Sequence, residues 1–255
     1  MEQNKRLWWL QELGLDVHEN SKKEWLCVCP FCGDEKHLFL NSKTLLFDCK
    51  KCNESGNYTQ LMAQLAMNLA DGLTSYDFHR LAKDRKLPVE AFKGLHIGFT
   101  GKWYTLPVRN TEGKINNVLR YKPGNKLCDA PECKIGLFGA QHLSDQSRKN
   151  EPVYLLEGPW DVIAFDWLRM NNKAAGIVVG VLGAGKLPHD YVKYFTSRPV
   201  YVIQDNDDAG YKGEAKIASM LTNIVEKIEF YRWHENDAIG KDVRDIITEV
   251  IKNEM

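Results

Sequence analysis

Two groups of side chains in this 255-residue sequence have types and spacings that can do chemistry. The first is Cys29-Pro-Phe-Cys32, followed after sixteen residues by Cys49-Lys-Lys-Cys52. Each Cys-x-x-Cys knuckle presents two thiolates from one tight turn, and two knuckles complete a tetrahedron around zinc. A site closed by four cysteines holds its ion for structure, so one structural zinc is expected. Cys27 lies two residues before Cys29 and competes for its place, although the following Pro-Phe-Cys-Gly favours Cys29. Cys128 and Cys133 have no partner pair nearby and read as free thiols.

The second group is acidic. Glu157 ends the apolar run VYLLEG, and Asp161 follows four residues later. Asp205 and Asp207 end VYVIQDND, and Asp242 opens the last helical stretch in GKDVRD. Two carboxylates spaced by two after a strand can point the same way. Gathered together, Glu157, Asp205 and Asp207 would repel one another unless a hard cation neutralised them, and magnesium is the natural choice. Asp208 and Asp245 read as caps or solvated loop residues. Gly180 to Lys186, GVLGAGK, nearly spells a phosphate-binding loop, but Leu187 stands where Ser or Thr would hold magnesium.

The elements that must carry these groups follow from periodicity. Residues 1–20 predict a short helix with Leu7, Leu10, Leu13 and Val17 on one face. Residues 24–56 predict short strands around the cysteines, with Gly33 and Gly56 where loops need permissive backbone. Lys36, His37, Phe39, Lys43, Phe47, Lys50 and Lys51 interleave base and aromatic as single-stranded DNA binders do, although Phe39 and Phe47 fit the ribbon's small core better. Asn57 caps a predicted helix bearing Leu61, Leu65 and Leu69, and residues 76–93 predict helix broken at Pro88. From Gly98 the pattern turns strand-like, with NTEGK as a hairpin turn. After Pro152, apolar strands alternate with helices starting near Pro159, Pro188 and Ala209, and a last helix covers about 243–252. That alternation predicts a mostly parallel sheet, whose ligands bind beyond the carboxyl ends of its strands.

Hydrophobic residues make up 44% of the chain, enough for a core, and the formal net charge is zero. The distribution is more telling: eleven Lys and Arg lie between Arg80 and Lys126 against three acids, and the balance reverses after Val200. A basic middle before an acidic end suits a protein that holds polyanions in one place and cations in another. No run of eighteen apolar residues predicts a membrane span. The first fifteen residues lack a signal-peptide pattern, so the cytoplasm is expected, that of the bacterial host for a phage-encoded chain.

At the acidic residues the sequence resembles a known domain. EGPWDVIA, VLGAGKLP and DNDDAG are similar to the three motifs of a Toprim domain. The ribbon ahead of it resembles that of DnaG-type primases and of the primase half of phage primase-helicases. LPVRNTEGKINNVLRYKPGNK with GLFGAQHL resembles their basic subdomain. The resemblance implies an α+β and α/β multidomain chain: a zinc ribbon over residues 1–65, a linker and helical segment over 66–98, a basic mixed α/β subdomain over 99–150 and a Toprim domain over 151–255. It implies Glu157, Asp205 and Asp207 as catalytic metal ligands assisted by Asp161 and Asp242, with magnesium or manganese. It assigns Arg109, Arg120, Lys122 and Lys126 to nucleotide phosphates or template. The implied activity is synthesis of short RNA primers from ribonucleoside triphosphates on single-stranded DNA, with a replicative helicase supplied as a separate chain and no membrane partner. The chain departs from many cellular primases in having four cysteines where they place a histidine, and its basic segment is short. Two rivals share parts of the pattern: a RecR-like recombination mediator, and a zinc/Toprim DNA-binding protein that has lost catalysis.

Overall fold

The computed structural model describes residues 5–21 and 23–254. The chain divides into two compact units that interleave along the sequence, whereas the sequence reading laid four segments end to end. The first unit takes residues 1–78, 94–107 and 115–134, and the second takes 79–93, 108–114 and 135–255.

In the first unit, helix α1 (Lys5–Glu12) is shorter than the predicted stretch, whose residues 1–4 lie outside the described residues. It ends because Gly14 turns the backbone left-handed at φ 93°, and the chain then enters strand β1 (Val17–Asn20) instead of a further helical turn. Strands β2 (Glu24–Cys27), β3 (Leu38–Asn41), β4 (Phe47–Cys49) and β5 (Ser55–Gly56) continue a five-stranded sheet in chain order, each pair antiparallel. Its small core includes Leu38, Leu40 and Phe47, with Phe31 stacked on Phe47 at 5.4 Å; Phe39 is only half-buried.

Helix α2 (Tyr58–Asp71) starts at Asn57 through a reciprocal capping box with Gln60. It buries Tyr58, Leu61, Met62, Leu65 and Ala66 in the same core as the ribbon. The hairpin strands β7 (Tyr104–Arg109) and β8 (Ile115–Tyr121) follow the short strand β6 (Gly98–Phe99) in one sheet, and the Asn110–Lys114 turn joins them as predicted.

The second unit receives the end of helix α3 (Ser75–Arg85) and a 3₁₀ turn (Val89–Phe92), with Pro88 marking the break. Its centre is a sheet of β9 (Val153–Leu156), β10 (Ile177–Gly180), β11 (Pro199–Ile203) and β12 (Lys227–Phe230), in the order β10-β9-β11-β12 and parallel throughout. Helices α4 (Pro159–Asn171), α5 (Asp208–Leu221) and α6 (Val243–Glu254) belong to it. The segment after Pro188 is a 3₁₀ helix (His189–Phe195). Every residue of β10 is buried, as the continuous apolar run of a parallel strand requires. Among the described residues, no helix is long and apolar enough to cross a membrane.

Candidate zinc and acidic sites

The four cysteines sit on two copies of one turn. In the first, Cys29 N–H donates to Asp34 O and Gly33 N–H donates back to Cys29 O, both at 2.8 Å. In the second, Cys49 N–H donates to Glu54 O at 2.8 Å and Asn53 N–H to Cys49 O at 2.9 Å. Gly33 and Asn53 occupy equivalent places with left-handed φ of 74° and 62°. The β3–β4 pairing, in which Leu38 faces Cys49, brings the knuckles together.

All four sulfurs lie within 4.8 Å of one another, with Cys29–Cys52 at 3.8 Å and Cys32–Cys49 at 3.9 Å. A tetrahedron with Zn–S bonds of about 2.3 Å has edges of about 3.8 Å, so the residues fit zinc. Among the described residues this is the only cluster of its kind. Cys27 stays out of it, fully buried, its thiol pushed up to about 12 chiefly by burial. The sulfur cluster takes in Cys29 and leaves Cys27 out. Cys128 and Cys133 are free thiols.

The acidic residues gather at the carboxyl edge of the parallel sheet, and the strand register explains how. Ile203 of β11 pairs with Leu156 of β9, so the chains leave the sheet side by side. One residue later on β9 is Glu157, and its Oε2 accepts from Asp205 N–H at 3.2 Å. Asp207 caps α5, accepting from Gly210 N–H at 2.7 Å. Gly210 has no alternative at that point: a β-carbon there would lie 2.2 Å from Asp205 O. Asp161 stands in the first turn of α4, 7% exposed, and its Oδ1 is buried with no hydrogen-bond partner.

The electrostatics match that crowding. Burial, then Glu157, Asp242, Asp207 and Asp245, push Asp205 up to about 8. Burial and the charge of Asp207 also raise Glu157, against the Asp205 hydrogen bond. Burial, Asp242 and Asp205 hold Asp161 well above the usual carboxylate range. Among the described residues, none of Glu157, Asp161, Asp205 and Asp207 forms a salt bridge. A half-buried carboxylate set with an orphaned buried oxygen and no salt bridge has the donor chemistry for a hard divalent ion, for which Glu157, Asp205 and Asp207 can supply ligands, although among the described residues their oxygens are not drawn within 4.8 Å of one another as the four sulfurs are.

Asp242 is differently placed. Its Oδ1 accepts from Asp245 N–H at 2.9 Å as the cap of α6, and its Oδ2 accepts from Arg244 at 2.6 Å. Both oxygens are already engaged, so a cation would compete with Arg244 for this residue. Asp245 returns a bond to Asp242 N–H at 3.3 Å, in keeping with its reading as a capping residue.

Of the predicted basic contacts, Lys122 and Lys126 are exposed, and Arg109 donates to Gly113 O at 2.9 Å across its turn. Arg120 departs from expectation. Its side chain is 5% exposed, donates to Glu12 at 3.0 Å and lies 4.6, 4.0 and 4.6 Å from the rings of Trp8, Trp9 and Trp103. This guanidinium fastens α1 to the hairpin and is not offered to a phosphate. Sequence reasoning missed Arg85, which stacks at 4.5 Å on Trp160 and lowers the proton affinity of Asp161 and Asp242. Its place in the basic run between Arg80 and Lys126 gave no hint that it faces carboxylates.

The region that builds the acidic site has relatives. Residues 154–247 match the Toprim-like family. The whole chain also shares its fold with primase structures. The zinc-binding and RNA polymerase domains of the Aquifex aeolicus primase align over 99% of this chain and 81% of theirs, with TM-score 0.54 and 16% identity. The Escherichia coli primase catalytic core aligns over 75% of each chain with TM-score 0.58 and 17% identity. The primase fragment of the bacteriophage T7 primase-helicase aligns over 89% of this chain and 95% of its own, with TM-score 0.53 and 16% identity. No curated protein sequence matches the chain. The four-cysteine site and the parallel Toprim-like sheet thus occur here in a primase-type fold, as their order along the sequence implied.

Proposed function

We propose that this protein is a DNA primase that synthesises short RNA primers on single-stranded DNA by magnesium-dependent nucleotidyl transfer. The observation that carries this reading is the convergence of Glu157, Asp161 and Asp205 at the carboxyl edge of the Toprim-like sheet, where burial and mutual repulsion raise Asp161 and Asp205 and the charge of Arg85 offsets only part of the rise at Asp161. The reaction is in-line attack of a 3′-hydroxyl on the α-phosphate of a ribonucleoside triphosphate, with pyrophosphate leaving. Magnesium, when bound, supplies the positive charge that this step demands at the phosphate and the leaving group.

The chain's own contribution is to fix the carboxylates before the nucleotide arrives. The Asp205 amide orients Glu157, the Gly210 amide orients Asp207, and the sheet register sets their spacing. Arg109, Lys122 and Lys126 meet nucleotide phosphates or template. The single zinc holds the ribbon's knuckles in register and leaves its surface to contact the template. Single-stranded DNA, ribonucleoside triphosphates and a separate replicative helicase are the partners in this reading, and the cytoplasm is its setting.

A labelled-nucleotide assay on single-stranded DNA with magnesium distinguishes this enzyme from a catalytically silent relative. Template-dependent oligoribonucleotides are expected. DNA binding with no product would favour the silent zinc/Toprim binder.

A further inference from the structure

Beside the acidic site lies an open groove of about 750 Å³, lined by Asn206, Asp207, Tyr211, Trp233, His234 and Ile239 among others. Asp207 belongs to both places, so a phosphate held by the carboxylates has the groove within reach of its own nucleoside.

The groove's aromatic walls are fixed by polar contacts away from their faces. Trp233 donates its indole N–H to Gln204 O at 2.9 Å and meets Tyr231 edge-on at 5.1 Å. Tyr211 donates its hydroxyl to Asn206 Oδ1 at 2.6 Å, and Asn206 in turn donates to Ala238 O at 2.9 Å, tying the 233–239 loop to the start of α5. Tyr211 nevertheless remains 46% exposed, and Ile239 is 91% exposed. These exposed apolar surfaces line a volume within the usual range for small-ligand sites.

We propose that this groove seats the nucleobase of a nucleotide whose phosphates are held at the acidic site, with the Tyr211 and Trp233 rings as its walls. Aromatic faces receive any base by stacking, without reading its edge. A seat of this kind suits an enzyme that accepts several nucleotides and leaves the choice among them to the template. The inference rests on the acidic site being a metal–phosphate site, as the primase reading holds.

The test is calorimetric titration of the full chain with ATP and with inorganic tripolyphosphate, each with magnesium, on wild type, Tyr211→Leu and Tyr211→Phe. Wild type should bind ATP more tightly than tripolyphosphate. Tyr211→Leu should weaken ATP about 5- to 100-fold, the effect expected on losing one stacking partner. It should leave tripolyphosphate unchanged, and Tyr211→Phe should retain the ATP preference. Unchanged ATP binding by Tyr211→Leu would overturn the proposal, as would equal weakening of both ligands or an equal loss in Tyr211→Phe. If wild type binds tripolyphosphate without preferring ATP, the base seat alone fails. If it binds neither, the metal–phosphate reading fails with it.

Discussion

Arg120 donates to Glu12 at 3.0 Å across 108 residues of sequence. The Arg120 side chain is 5% exposed and that of Glu12 21%, and three tryptophans surround the guanidinium. It closes the N-terminal helix over the hairpin, and Glu12 also accepts from the Trp103 indole at 3.0 Å.

Glu12→Gln leaves the Arg120 charge buried without its counterion. Loss of about 3 kcal/mol in urea denaturation is expected, the lower end for breaking a buried pair. Arg120→Lys should be nearly as costly, because an ammonium cannot stack flat on the indoles. A surface phosphate contact would instead show little loss of stability in either variant.

The zinc site separates the cysteines. Cys49→Ser should reduce bound zinc from one equivalent to near none and unfold the ribbon, measured by metal analysis and circular dichroism. Cys27→Ala should keep the full equivalent of zinc and cost about 1 kcal/mol of core packing.

The acidic site should make stability depend on pH in the absence of magnesium. Asp205 sits near 8 in the folded protein, above the ordinary carboxylate range of an unfolded chain. The folded state therefore holds this proton more tightly. Its contribution is present below about pH 4 and is lost as pH rises through about 8. In magnesium-free buffer, Asp205→Asn should melt higher than wild type at pH 8 and nearly with it at pH 4. Added magnesium should stabilise wild type most at the alkaline end and the variant little. Parallel melting curves across that range would contradict the placement of Asp205.

Much of this was legible in local patterns. Asn57 with Gln60 announced a helix start, and four cysteines in two knuckles announced a metal. Strand ends followed by Glu157 and Asp205 announced an acidic edge, because a parallel sheet aligns its carboxyl ends whatever the intervening sequence. What stayed hidden depends on distant partners. Nothing near Arg120 reveals that Trp8, Trp9 and Glu12 will enclose it. Nothing near Arg85 reveals Asp161 or Asp242. The helical spacing of Leu10, Leu13 and Val17 runs on past Gly14, where the backbone turns left-handed, so it overstates the length of the N-terminal helix. Asp242 read as a ligand by its position, but its neighbours Arg244 and Asp245 already occupy its oxygens.

The most direct measurement of the central claim is template-dependent primer synthesis by Asp205→Asn and Glu157→Gln beside wild type, with zinc content and fold verified for each. Wild type should produce short oligoribonucleotides on single-stranded DNA with magnesium. Each variant should retain its zinc and fold while losing at least about 100-fold in rate, the scale expected when a preorganised electrostatic contact is removed. Extension at near wild-type rate by either variant would contradict the assignment of the acidic edge as the site of nucleotidyl transfer.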